Sequence, residues 1–218
     1  MEAVGAAAER TTAATDAVLA LAALAAIVVI RRTPPSFGRS VWVAALAGLL
    51  LASLLGAVAH GLRLSPSLRE FLWQPLYLSL GVTMALFVVG AVRDWRGDRA
   101  SRHVLWPMLG LAAVFYGITW LTGGDFIAFV VYEAAALLFS LVVYLRLARG
   151  EHRPGAAAMA AALGVSLAAG GVQAADIGSI RLFWEFDHNG LFHLVQLVGL
   201  VLLVAGLRRL LSFATEAP

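Results

Sequence analysis

Residues 13–32 read AATDAVLALAALAAIVVIRR, and this stretch decides the fold class. Its first eighteen residues hold one ionisable side chain, Asp16, and end on paired arginines. A helix rising about 1.5 Å per residue needs roughly 20 apolar residues to cross the hydrocarbon of a bilayer, so the run predicts a membrane crossing. It does not have the form of a cleaved secretory leader. Glu2 and Glu9 stand on its N-terminal flank with only Arg10, and its positive charge follows the apolar run. It is read as a retained anchor.

Six more runs repeat the pattern along the chain, so the expectation is an all-α, polytopic membrane protein: a single domain, 1–218, of seven transmembrane helices. The runs are 13–30, 41–62, 71–92, 104–121, 126–146, 155–175 and 188–207. Composition agrees. Of 218 residues 61% are hydrophobic and 13% charged, with a mean hydropathy of +0.86, against about 45–50% apolar in soluble domains. The connections, of which 31–40, 93–103 and 147–154 are the longest, are too short to fold as modules.

Arginine placement predicts the orientation. Twelve of the sixteen arginines follow runs one, three, five and seven, which puts the N-terminus outside and the C-terminus in the cytoplasm. Trp42, Trp95 and Trp106 then fall at cytoplasmic ends, and Trp73, Trp120 and Trp184 at outer ends, as interfacial belts. The net charge of +3 reflects this topology, and no nucleic-acid partner is expected. There is no Cys, hence no disulfide or thiolate ligand. There is no Lys either, which excludes a retinal Schiff base despite the helix count. Arginine in place of every lysine, with many alanines, suggests a GC-rich bacterial genome and an inner-membrane location.

The polar residues gather at one end. His60, Glu70, Asp125, Glu133, Asp176, Asp187, His188 and His193 all fall near the outer face, while the inner halves hold little beyond boundary arginines. Ionisable groups inside a bilayer cost several kcal/mol unless they face the bundle interior, pair or line a pathway. An outward-opening polar cavity is therefore expected, its walls including Gln74, Tyr77, Gln173, Asp176, Asn189 and Gln196. His60 continues a small-residue stride, Gly48–Ala52–Gly56, that should face a neighbouring helix.

Simpler roles stand beside these. Asp125 and Asp187 suit helix N-caps, Asp176 a solvated loop, and Asp16 a first-turn carboxylate favoured by the helix dipole. Glu133, about 12 Å along its helix, is harder to explain structurally. Asn189, His193 and Gln196 share one helical face, whereas His188 is about 140° from His193 if helix begins there. Neutral histidines at the ends of separate helices suit a zinc ion, with a carboxylate or water completing the tetrahedron.

With seven helices, an outer N-terminus, a serine and a histidine on the second run and a histidine-rich start to the seventh, the chain resembles the CREST superfamily of membrane hydrolases. That group includes alkaline ceramidases and the progestin and adiponectin receptors. The resemblance implies that His60 and His193 bind zinc, with His188 the nearest counterpart of the third histidine, since Asn189 stands four residues before His193. It also implies an oxyanion-stabilising serine, for which Ser53 is the nearest residue. The expected activity is zinc-dependent hydrolysis of a lipid amide or ester at the outer leaflet, with Glu133 or Asp187 as general base or as a partner orienting a histidine. Two other classes fit the same residues: a b-type haem electron-transfer protein, and a non-catalytic membrane protein that binds a lipid or small molecule. Transport has less support, because Gly170–Gly171 is the sole paired break and lies near an outer end.

Overall fold

The computed structural model describes residues 5–124, 126–175, 178–181 and 183–216. The chain is almost entirely helical: α1 Ala7–Arg31, α2 Phe37–Gly61, α3 Pro66–Leu121, α4 Phe126–Arg149, α5 Ala156–Ala174 and α6 His188–Glu216. All six are long and apolar enough to cross a membrane. The expected all-α class needs one small amendment. Ile180–Arg181 (β1) and Glu185–Phe186 (β2) pair antiparallel as a ribbon between α5 and α6.

The third and fourth runs, expected as separate helices, are two helical arms of one 56-residue element, and the expected loop 93–103 is helical on either side of Gly97. The break is confined to Gly97, at φ 85° and ψ 175°, a conformation essentially reserved for glycine. One residue there turns the chain through a hairpin. The Ser101 hydroxyl donates to the Val89 carbonyl at 2.8 Å, the Phe115 ring packs on Gly81, and the Tyr77 hydroxyl donates to the Gly124 carbonyl at 2.8 Å. Arms 66–96 and 98–121 therefore lie antiparallel.

Local chemistry sets the helix ends. Ser36 and Ser65 accept from the backbone N–H three residues on, at 3.1 and 3.3 Å, and Pro66 opens α3 where its missing N–H costs nothing. Each helix packs on the next, and α1 closes the ring by packing on α6. Small residues permit the close approaches: Gly48 faces Thr83, Gly56 faces Asp16, Gly199 faces Ser166, and Gly206 meets the Gly155 carbonyl. Large apolar side chains such as Leu21, Val142 and Val201 stand outward on the ring, as membrane helices require and soluble ones avoid.

Two expectations about the inner end need correction. Trp42 is not an interfacial residue; it is fully buried, edge-on to Phe87 and against Gly90. Nor is that end free of buried charge. Asp94 is 2% exposed, accepts from the Tyr144 hydroxyl at 2.7 Å and from Arg93 at 3.1 Å, and Arg153 donates to its carbonyl. This network ties α3 to α4 and to the turn before α5.

Gly97 has no neighbouring atom to clash with a methyl group, so the cost of a side chain there is purely conformational. Gly97→Ala is expected to destabilise the protein by about 1–3 kcal/mol, read as a lowered melting temperature in detergent. An unchanged melting temperature would show that the turn does not depend on this conformation.

Candidate functional site

The ring encloses a cavity of about 330 Å³, with walls from α1, α2, α3, α4, α5 and α6. On α2 it runs from His60 to Leu49, eleven residues, or about 16 Å of helix. Its outer part carries Asp16, His60, Gln173, His188, Asn189 and His193, and its depth is closed by Leu19, Leu49, Leu80 and Met84. It is thus polar at one end and apolar at the other.

His193 is the most constrained polar group in it. The ring is 8% exposed; Nδ1 lies 3.0 Å from Thr15 Oγ1 and Nε2 lies 3.3 Å from Asp16 Oδ1. The Thr15 hydroxyl donates to the Thr12 carbonyl at 2.9 Å, which leaves its oxygen to accept from Nδ1–H. One proton is then left between Nε2 and Asp16, held as an ion pair or as imidazole beside carboxylic acid. Asp16 sits there because α2 presents Gly56: a Cβ at that position would stand 2.7 Å from Asp16 Oδ2.

Asp16 is the residue that sequence reasoning missed. An apolar run that begins at Ala13 suggests a first-turn carboxylate, but α1 begins at Ala7, placing Asp16 in the third turn and 5% exposed. The available signal was its register. Thr12, Thr15, Asp16 and Leu19 recur at helical spacing, and all four are buried.

The remaining candidates divide. Ser53, Tyr77, Glu133, Gln173, Asn189 and Gln196 all line the cavity with the three histidines. Glu133, on α4, is 6% exposed and makes no side-chain hydrogen bond among the described residues. Gln173 donates to Asn189 Oδ1 at 2.9 Å, while Gln173 Oε1 and Gln196 Oε1 are buried and have no partner among the described residues. His60 Nδ1 lies 2.8 Å from Glu9 Oε2, and its ring stands edge-on to Trp73. Asp187 is not a wall residue. Its Oδ1 caps α6 by accepting from Gly190 N–H at 2.7 Å and also accepts from the Thr12 hydroxyl at 2.7 Å. Gln74 faces a different pocket at the outer surface. Asp125 and Asp176 lie outside the described residues.

The zinc set His60, His188 and His193 does not close as placed. Helix α6 already begins at His188, so its ring is about 140° around the axis from His193. Both nitrogens of His193 are engaged, and His60 Nδ1 is paired with Glu9. Among the described residues no three His, Asp or Glu side chains form a group that could hold a metal ion.

Removing Asp16 should expose the dependence of His193 on it. Asp16→Leu is expected to cost about 1–3 kcal/mol by leaving a buried ring nitrogen unsatisfied, with Asp16→Asn less severe. Thermal unfolding of the two variants measures it; equal stability of Asp16→Leu and wild type would show that the pair is not held.

No curated protein and no solved structure matches the chain. A family model does, across residues 11–212, which takes in every helix of the ring and every wall of the cavity: the chain belongs to DUF6962, a family of unknown function.

Proposed function

We propose that this is a seven-crossing membrane protein, N-terminus outside, whose cavity binds a small amphipathic molecule by its polar end. The antiparallel arms of α3 support two crossings in that element. The arginines that cluster at 31–39, 93–102, 146–153 and 208–209 support a cytoplasmic location for the Gly97 turn. With no native cysteine, single-cysteine variants report the topology directly. Ser67→Cys and Phe183→Cys should react with an impermeant maleimide on intact cells, and Arg99→Cys and Glu151→Cys only after permeabilisation. The reverse pattern would invert the orientation; Ser67 and Arg99 on one side would remove the seventh crossing.

One observation carries the ligand reading: a cavity whose polar end is lined by Asp16, His60, His188, Asn189 and His193, above an apolar depth. The volume of about 330 Å³ lies at the small end of ligand pockets, which favours a single-chain amphiphile over a two-chain lipid. Short-chain monoacylglycerols and N-acyl ethanolamines are suitable probes. At a hundred times its dissociation constant a ligand stabilises by about 2.7 kcal/mol, a shift visible in thermal unfolding. Ser53→Phe, which fills the cavity, should abolish the shift. No shift in wild type, or an equal one in Ser53→Phe, would refute the reading.

Hydrolysis of a lipid amide or ester is a second reading, and one distance favours it. His193 Nε2 and Asp16 Oδ1, 3.3 Å apart, have the separation of two tetrahedral ligands each about 2.0–2.1 Å from zinc. Two ligands do not make a site, and no catalytic step follows from them. Elemental analysis of purified protein is decisive: stoichiometric zinc lost in His193→Ala supports the hydrolase, and metal-free wild type ends it. An absorbance spectrum of the same sample reports on haem.

A further inference from the structure

A cleft of about 220 Å³ opens on the side of the ring between α4 and α5. On each helix its wall is a stripe at i, i+3, i+4 and i+7, from Val130 to Leu137 on α4 and from Leu167 to Ala174 on α5. Small residues along such a seam normally draw two helices together. Here Gly170, Gly171 and Ala174 leave a space instead. Gly171 and Ala174 are exposed, and Val131 beside them on α4 stands outward, so the cleft faces the lipid that surrounds the ring.

One ionisable side chain belongs to this wall. Glu133 lines both the cleft and the central cavity, and so stands between the two spaces. A Cβ at Gly170 would lie 3.4 Å from Glu133 Oε2, which places the carboxyl against the glycines of the cleft. The residue is 6% exposed and makes no side-chain hydrogen bond among the described residues. Its oxygens are nonetheless not sealed as the amide oxygens of Gln173 and Gln196 are. A carboxyl held at the edge of an apolar space, within reach and without a partner, calls for a hydrogen-bond donor.

We propose that the cleft is a side entrance from the bilayer, in which the apolar chain of a single-chain amphiphile lies while its donor-bearing head meets Glu133 on the way to the cavity. This rests on the ligand reading of the cavity given above and adds the route and the residue that meets the ligand. From Val130 to Leu137 the cleft follows about 10 Å of helix, which accommodates part of one extended chain and not two. An amphiphile dissolved in the membrane reaches it without carrying that chain through water, a step that apolar surface opposes.

Carbodiimides of matched size report the route. The carboxyl proton passes to a carbodiimide nitrogen as the carboxyl oxygen bonds the central carbon, and an O-to-N acyl shift leaves a stable N-acylurea, with no leaving group. Purified protein in lipid nanodiscs would be treated with apolar diisopropylcarbodiimide or with a cationic, water-soluble analogue, and adducts mapped by peptide mass spectrometry. Glu151, 43% exposed in a loop, is the water-side reference. Relative to Glu151, Glu133 should react at least about tenfold faster with the apolar reagent than with the cationic one, a ratio smaller than two methylene groups provide. Equal ratios, or no adduct at Glu133, overturn the proposal without any variant.

Gly171→Leu, whose new Cβ meets no atom within 4 Å, should slow the apolar reaction about tenfold by filling the cleft. An unchanged rate in the folded variant also overturns the entrance. Monolauroylglycerol at about ten times its dissociation constant leaves roughly a tenth of sites free and should slow the reaction in proportion. Unslowed labelling at a concentration that shifts thermal unfolding overturns the route. The absence of any thermal shift refutes the ligand reading instead, and the two reagents still decide whether Glu133 is reached from lipid.

Discussion

Hydrocarbon offers no hydrogen bonds and does not solvate charge, and that single constraint organises the molecule. It forces the backbone into helices, turns their large apolar side chains outward, and favours ionisable groups deep in the spans that face the interior of the ring. Asp16, Glu133 and His193, each less than a tenth exposed, therefore meet around one space although they come from three helices. The cavity is the direct consequence: polar groups gathered inside a ring of few helices leave a volume that apolar packing does not fill.

Small residues decide where the ring can tighten. Gly56 lets the Asp16 carboxylate lie against α2, and Gly90 lets Trp42 enter between α2 and α3. Gly155 and Gly206 bring the start of α5 against α6. The two ends of the bundle then differ in kind. At the inner end Asp94 is saturated by Tyr144, Arg93 and Arg153, a finished network that holds elements together. At the other end the amide oxygens of Gln173 and Gln196 have no partner among the described residues.

Much of the site was legible because depth along a helix follows from residue number alone. Counting 1.5 Å steps puts His60, Glu133, His193 and Gln196 within about 12 Å of the same end of the bundle, and the four share a cavity. Rotation was legible only within a helix. The stripe of Asn189, His193 and Gln196 could be read from spacing, whereas the partner of His193 could not, because Thr15 and Asp16 are about 178 residues away and meet it only where α1 closes against α6.

The sequence by itself determined that the chain lives in a membrane, where its helices run and which end of the bundle is polar, since these depend on apolar length and local spacing. Tertiary structure alone decided that one glycine turns α3 back on itself, that Asp187 caps a helix while Asp16 reaches the histidine, and that Gln74 belongs to an outer pocket rather than the inner cavity. Those outcomes depend on which helix faces lie against one another. Such pairings join residues far apart in the chain, and no local pattern records them.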